Sequence, residues 1–180
     1  MIYLFLADGF EEVEALCPLD LLRRAGADIR TVGVTGKAVT GSHNITVTAD
    51  ITADEIVLDR NLEMVILPGG MPGTTNLDES AAVHGALRYA AERGITIAAI
   101  CAAPSIIGKL GWLSGRSAVC YPGFEKYLIG ANISAKSVVT DENFITAKGM
   151  GVAAQFGLTL VASLFGEETA EKLRSSTMMA

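Results

Sequence analysis

Three short, nearly unbroken apolar runs constrain this chain most: IYLFLA from Ile2 to Ala7, MVIL from Met64 to Leu67 and TIAAI from Thr96 to Ile100. A strand that faces water on one side alternates apolar and polar residues, whereas one covered on both sides reads as a continuous apolar run. Such runs predict central strands of a parallel sheet. Further strands are expected at Ile29 to Val34, Ile45 to Thr48 and Ala118 to Cys120, with a hairpin in VVTDENFITA around Asp141 to Asn143. Between them lie helical patterns. From Glu11 to Ala25, Val13, Leu16, Leu19 and Leu22 recur at helical spacing and Gly26 supplies a stop. Other helices are expected at Glu79 to Arg93, Pro104 to Lys109, Val152 to Phe165 and Glu167 to Ser175. This alternation predicts an α/β fold, a doubly wound and mostly parallel sheet with helices on both faces. No repeat or Pro/Gly/Ser-rich linker interrupts it, so residues 1–180 are expected to form one domain.

In a sheet of this kind ligands sit beyond the carboxyl ends of the strands, which directs attention to the loops at Asp8, Pro68, Cys101 and Tyr121. Charge excludes one class of partner. With 20 acidic against 14 basic residues and a net charge of −6, the chain lacks the cationic surface that nucleic-acid binding requires. No apolar run reaches the roughly 18 residues that span a bilayer, and MIYLFLADGFEE lacks the basic flank of a secretory signal. Three scattered cysteines, Cys17, Cys101 and Cys120, with no metal-ligand spacing, point to reduced thiols in a cytoplasmic protein and to no metal site.

Cys101 is the residue with two readings. In AAICAAP it ends a strand and precedes Pro104, as in a strand-to-helix elbow where free helix N–H groups favour a thiolate. An unpaired cysteine there equally suits a small buried hydrophobe. The segment LPGGMPG follows the MVIL strand, and its consecutive glycines, Gly69 and Gly70, let backbone N–H groups approach a ligand. With the N–H of Ala102 they form a candidate oxyanion hole; a plain Pro-Gly turn explains them too. In ADGFEEVE, Glu11 and Glu12 suit a water-facing first helical turn. Glu14 stands among apolar neighbours four residues before Pro18, where a kink is expected, and a half-buried carboxyl there is raised in pKa. A surface glutamate is the plainer alternative.

Taken together and in order, ADGFEEVE, RRAG at Arg23 to Gly26, LPGGMPG, AAICAAP and AKGMG at Ala147 to Gly151 resemble the ThiJ/PfpI family, in particular the branch of the parkinsonism-associated protein deglycase. The resemblance implies a flavodoxin-like fold related to class I glutamine amidotransferases, usually in a homodimer. It places the family's reactive cysteine on Cys101, its protonated glutamate on Glu14, and the oxyanion pocket on Gly70 and Ala102. It also implies activity without a cofactor on a small dicarbonyl such as methylglyoxal or glyoxal, or on early glycation adducts, and an alternative sensing or chaperone role through oxidation of the cysteine.

Two positions depart from the pattern. Many members carry His-Pro where this chain reads Tyr121-Pro122, so a cysteine–histidine amidase or peptidase needs a base from elsewhere. Tyr121 is then left as a donor or a pocket wall. Asn44 stands where the deglycase relative carries arginine, which leaves anion binding there open, and His43 reaches the site only if the fold brings its loop over.

Overall fold

The computed structural model describes residues 1–179. Its strands are β1 (Ile2–Leu6), β2 (Ile29–Gly33), β3 (Ala38–Thr40), β4 (Thr46–Thr48), β5 (Ile51–Thr52), β6 (Met64–Leu67), β7 (Thr96–Ile100), β8 (Ser117–Ala118), β9 (Asn132–Ile133), β10 (Val138–Asp141) and β11 (Phe144–Ala147). Six helices follow the chain: α1 (Glu12–Arg24), α2 (Gly73–Asp78), α3 (Ala81–Glu92), α4 (Pro104–Lys109), α5 (Ala153–Phe165) and α6 (Glu167–Ser176). Seven strands form the main sheet in the order β10-β11-β7-β6-β1-β2-β5, all parallel except the β10–β11 pair.

The apolar runs behave as their patterning requires. Along β1, Tyr3 and Phe5 point into one core with Val65, Leu67, Ile97 and Ala99. Ile2, Leu4 and Leu6 point into the other with Met64, Ile66, Ala98 and Ile100. Period-two alternation therefore feeds two cores, and both must be apolar. Leu77 of α2, Val83 and Leu87 of α3 and Ile106 of α4 cover the first face. Leu19 and Leu22 of α1 and Phe156 and Leu160 of α5 cover the second. Helices α1 and α5 meet closely at Gly157, where a Cβ would lie 2.9 Å from the Pro18 Cα.

Helix α1 contains Pro18 and continues to Arg24. Several expectations change. The Ile45 to Thr48 segment joins no central strand; β4 pairs with β3 in a separate hairpin. Ser117–Ala118 likewise pairs only with β9. Helix α2 was hidden because GTTNLD has no apolar period and its one large buried apolar side chain is Leu77.

The topology positions the site. From β1 the chain moves out to β2 and β5 on one side, then returns so that β6 lies on the other side of β1. The carboxyl ends of β1 and β6 thus flank the point where strand order reverses, the ligand crevice of an open α/β sheet. Glu14 enters from the helix after β1, Gly69 and Gly70 follow β6, and Cys101 follows β7 in the next position.

Candidate active site

Cys101 directly follows β7 with φ of +64°, a left-handed conformation rare outside glycine. Its backbone is held on both sides: its N–H donates to the Ala147 carbonyl at 2.9 Å, and its carbonyl accepts from the Tyr121 N–H at 2.7 Å. Small residues make the elbow sterically feasible, since Ala102 and Ala103 are buried and Pro104 opens α4. The Sγ faces the backbone N–H groups of Gly70 and Ala102 and hydrogen-bonds the Glu14 side chain. Five of the six residues named from the sequence, Cys101, Glu14, Gly69, Gly70 and Ala102, thus meet around one sulfur. Tyr121 stands at the edge, half exposed, with its ring against Gly149.

Glu14 is 1% exposed. Its Oε2 accepts from the Gly69 N–H at 3.0 Å, and it also accepts from Cys101 and the Met150 backbone. Burial pushes its carboxyl up to about 7, those hydrogen bonds pull it down, and the Glu11 charge adds to the rise. Burial likewise pushes the Cys101 thiol up, and the Glu14 charge and hydrogen bond carry it to about 12 against the Gly70 and Ala102 donors. The expected backbone activation of Cys101 is therefore present but outweighed while Glu14 is ionised. The two groups form one unit that takes a single negative charge near neutral pH.

Gly69 must be glycine for packing. A Cβ there would lie 2.5 Å from the Cys101 Cβ and 2.6 Å from the Glu14 Oε2. Gly69→Ala is expected to cost about 1–3 kcal/mol of stability, as overpacking does, measured by denaturant unfolding. Equal stability in the variant would contradict this account of the loop.

Glu12 corrects the sequence reading. It is buried at 4% exposure rather than facing water, because the loop of the β3–β4 hairpin folds back over α1. Its Oε1 accepts from the His43 N–H at 2.7 Å and its Oε2 lies 2.9 Å from the His43 Nδ1. Gly41 allows the approach, since a Cβ there would fall 2.4 Å from the Glu12 Cδ. Burial opposes ionisation of Glu12, yet the His43 ring and the backbone N–H groups of the hairpin hold it at about 2. The Glu12 hydrogen bond, then the charges of Glu11 and Glu12, raise the His43 pKa.

A pH dependence of stability follows. The raised histidine contributes fully below its ordinary 6.5 and loses that contribution as pH rises through its folded value, while the depressed Glu12 contributes above the ordinary carboxylate range. The thermal midpoint gap between wild type and His43→Ala is expected to be wider near about pH 6 than near about pH 9. A gap that widens with rising pH would overturn the pairing.

Asn44 adopts φ of +63° in the hairpin turn. The second histidine, His84 of α3, has its Nε2 2.6 Å from the Asp78 carbonyl oxygen. Sequence reasoning missed Met150 as a Glu14 partner; its signal was AKGMG, read only for close packing.

A strained cysteine at a strand end, beside a glycine loop and a buried carboxyl, defines an α/β protein of the nucleophile-elbow type. Comparison with known proteins gives the particular family. Residues 1–163 match the model of the DJ-1/PfpI family. The chain is 35% identical over 178 residues to Protein dj-1beta of Drosophila melanogaster, spanning 97% of this chain and 95% of that one. It is 32% identical over 148 residues to a deglycase of Pyrococcus abyssi, spanning 81% of this chain and 87% of the other. Among solved structures, oxidized DJ-1 of Toxoplasma gondii superposes with a TM-score of 0.94 at 31% identity, covering 99% of this chain and 98% of that one. The chain belongs to the DJ-1/PfpI family, and the mostly parallel sheet is the flavodoxin-like fold the sequence motifs implied.

Proposed function

We propose that this protein is a cofactor-independent enzyme that converts methylglyoxal or glyoxal to the hydroxy acid, and acts on the early adducts these form, with Cys101 as nucleophile and Glu14 as proton carrier. The observation that supports it most is the Cys101–Glu14 pair itself, one shared charge held in an elbow lined by backbone donors. The likeness to a protein named a deglycase supports it further.

The chemistry runs in four steps. As the Cys101 sulfur adds to the aldehyde carbon, the thiol proton passes to Glu14 and the new oxyanion meets the Gly70 and Ala102 N–H groups, giving a hemithioacetal once protonated. Glu14 then removes the hydrogen from that carbon, and the neighbouring carbonyl becomes an enediol. Return of the proton to the second carbon leaves a thioester, so one carbon is oxidised as its neighbour is reduced. Water hydrolyses the thioester, releasing lactate and the free thiol. The net change is addition of one water and needs no external oxidant or metal.

Both histidines are engaged elsewhere, His43 with Glu12 and His84 with Asp78, so an amidase or peptidase reading lacks its base. A sensing role through oxidation of Cys101 is the second reading, favoured by likeness to a relative whose structure is described as oxidized. Self-association is part of the proposal. Val13, Ile45 and Met150 are about half exposed around Glu12 and Glu14 and form the apolar surface a second copy would cover.

The test is lactate formation from methylglyoxal by wild type, without glutathione or added metal. Lactate is expected; none from a folded protein would remove the enzymatic reading. Peroxide that adds oxygen to Cys101, seen by mass spectrometry, would then favour the sensor.

A further inference from the structure

Glu11 and Glu12 are neighbours at the start of α1, and adjacent side chains of a regular helix do not face each other. Here they converge. Glu11 precedes the helix in extended backbone, with φ of −79° and ψ of 117°, and makes no capping bond; its carboxylate turns instead toward the β3–β4 hairpin. Backbone bonds pin the two segments together: the Ser42 N–H donates to the Phe10 carbonyl and the Gly9 N–H to the Thr40 carbonyl, both at 2.8 Å. Four donor atoms meet at this junction. The Ser42 Oγ lies 3.3 Å from the Glu11 Oε2, 3.4 Å from the Glu12 Oε2 and 3.2 Å from the His43 Nδ1. The same Nδ1 lies 2.9 Å from the Glu12 Oε2 and 3.4 Å from the Glu11 Oε2.

Hydrogen bonds do not satisfy this convergence. Ionised carboxylates only accept, so the five contacts share two protons, one on the Ser42 hydroxyl and one on the ring nitrogen. The other contacts set lone pair against lone pair, and two carboxylates crowd one imidazole. A dication accepts from all four atoms at once. Tetrahedral zinc with bonds of about 2.0–2.1 Å holds its ligand atoms roughly 3.3–3.4 Å apart, which the spacings of 2.9–3.4 Å already approach. Two carboxylates with a neutral imidazole also cancel the charge of the ion, and the ring nitrogen favours zinc over calcium or magnesium. The second oxygen of Glu12 is fixed by the His43 N–H at 2.7 Å, a support that orients a ligand before the metal arrives.

We propose that Glu11, Glu12 and His43 bind a zinc ion, with the Ser42 hydroxyl at the fourth corner, and that the ion clips the β3–β4 hairpin to α1. On binding, Nδ1 gives its proton to solvent and the ion takes the vacated lone pair. All four donor atoms belong to one chain. None belongs to the Cys101–Glu14 pair, so the site stands or falls independently of the enzymatic proposal.

The experiment uses the full chain carrying Cys17→Ser and Cys101→Ala, which removes the two thiols that are not fully buried, and titrates it with zinc chloride in competition with a chromophoric chelator. One ion per chain is expected, with a thermal midpoint that rises as zinc binds. Adding His43→Ala is expected to weaken binding at least about tenfold, since loss of a ligand costs no less than loss of its support. Glu11→Gln, isosteric and ahead of the helix, is expected to do the same and serves if the alanine variant does not fold. Cobalt(II) in place of zinc is expected to show visible bands with no thiolate charge-transfer band. Failure to bind one zinc ion per chain overturns the proposal. So does undiminished binding in both His43→Ala and Glu11→Gln, which would mean adventitious attachment to other carboxylates. A thiolate band would overturn it as well, by placing the ion on Cys120.

Discussion

Cys101→Ala is expected to lower lactate formation from methylglyoxal by roughly a thousandfold or more, as removal of a covalent nucleophile does, while the protein stays folded. The side chain lost is small and half-buried, and the elbow is held by backbone hydrogen bonds to Ala147 and from Tyr121 that alanine retains. Alanine also keeps a Cβ at φ of +64°, so the backbone strain remains. Cys101→Gly separates strain from chemistry. Glycine takes the left-handed conformation without the penalty of about 1–2 kcal/mol borne by other residues, although its freer unfolded chain returns part of that gain. The glycine variant is therefore expected to be as inactive as the alanine variant but more stable, by up to about 1 kcal/mol. Lactate assays and denaturant unfolding of the three proteins decide the matter. Appreciable turnover in either variant would show that Cys101 is not the nucleophile, and a glycine variant less stable than alanine would show that the elbow is not strained.

This placement explains what could be read in advance. The central strands were legible because burial on both faces writes an unbroken apolar run into IYLFL, MVIL and TIAAI. Gly69, Gly70 and Cys101 were legible because each stands just past a strand's carboxyl end, where fold topology brings loops together, whereas Glu14, inside α1, was marked by its apolar neighbours, its spacing to Pro18 and the family resemblance. Glu12 was not, because its burial depends on a hairpin more than two dozen residues away, and adjacent glutamates at a helix start read alike. The mark of that contact was Gly41, a residue whose missing side chain makes room for a carboxylate. The proton balance between Glu14 and Cys101 was also out of reach. Helix N–H groups near the sulfur could be foreseen from the elbow, but the burial that outweighs them, and the Glu14 charge beside the sulfur, are set by tertiary packing. Strands as short as β5, β8 and β9 carry no periodicity to read.

Glu14→Gln tests that balance through two readouts that move in opposite directions. In wild type, burial lifts the Glu14 carboxyl to about 7, and in the proposed mechanism its ionised form is the base that takes the Cys101 proton as the sulfur reacts. Both lactate formation and alkylation of Cys101 by iodoacetamide are expected to rise through about pH 7. Glutamine removes the proton carrier, so turnover should fall by about 10²–10⁴, the usual contribution of a general acid–base. The inflection near pH 7 should vanish, leaving alkylation to follow a buried thiol on the alkaline side. Stability should move the other way. A carboxyl whose folded value is raised contributes stability below its unfolded pKa of 4.5 and loses it as pH rises through about 7. Holding this charge in the fold therefore costs on the order of 3 kcal/mol above that range. Glu14→Gln is expected to raise the thermal midpoint relative to wild type more at about pH 8 than at about pH 5. A merely structural glutamate would lose stability when replaced and leave the alkylation profile unchanged. Retention of both the pH 7 inflection and the wild-type turnover in Glu14→Gln would mean that the charge activating Cys101 resides elsewhere.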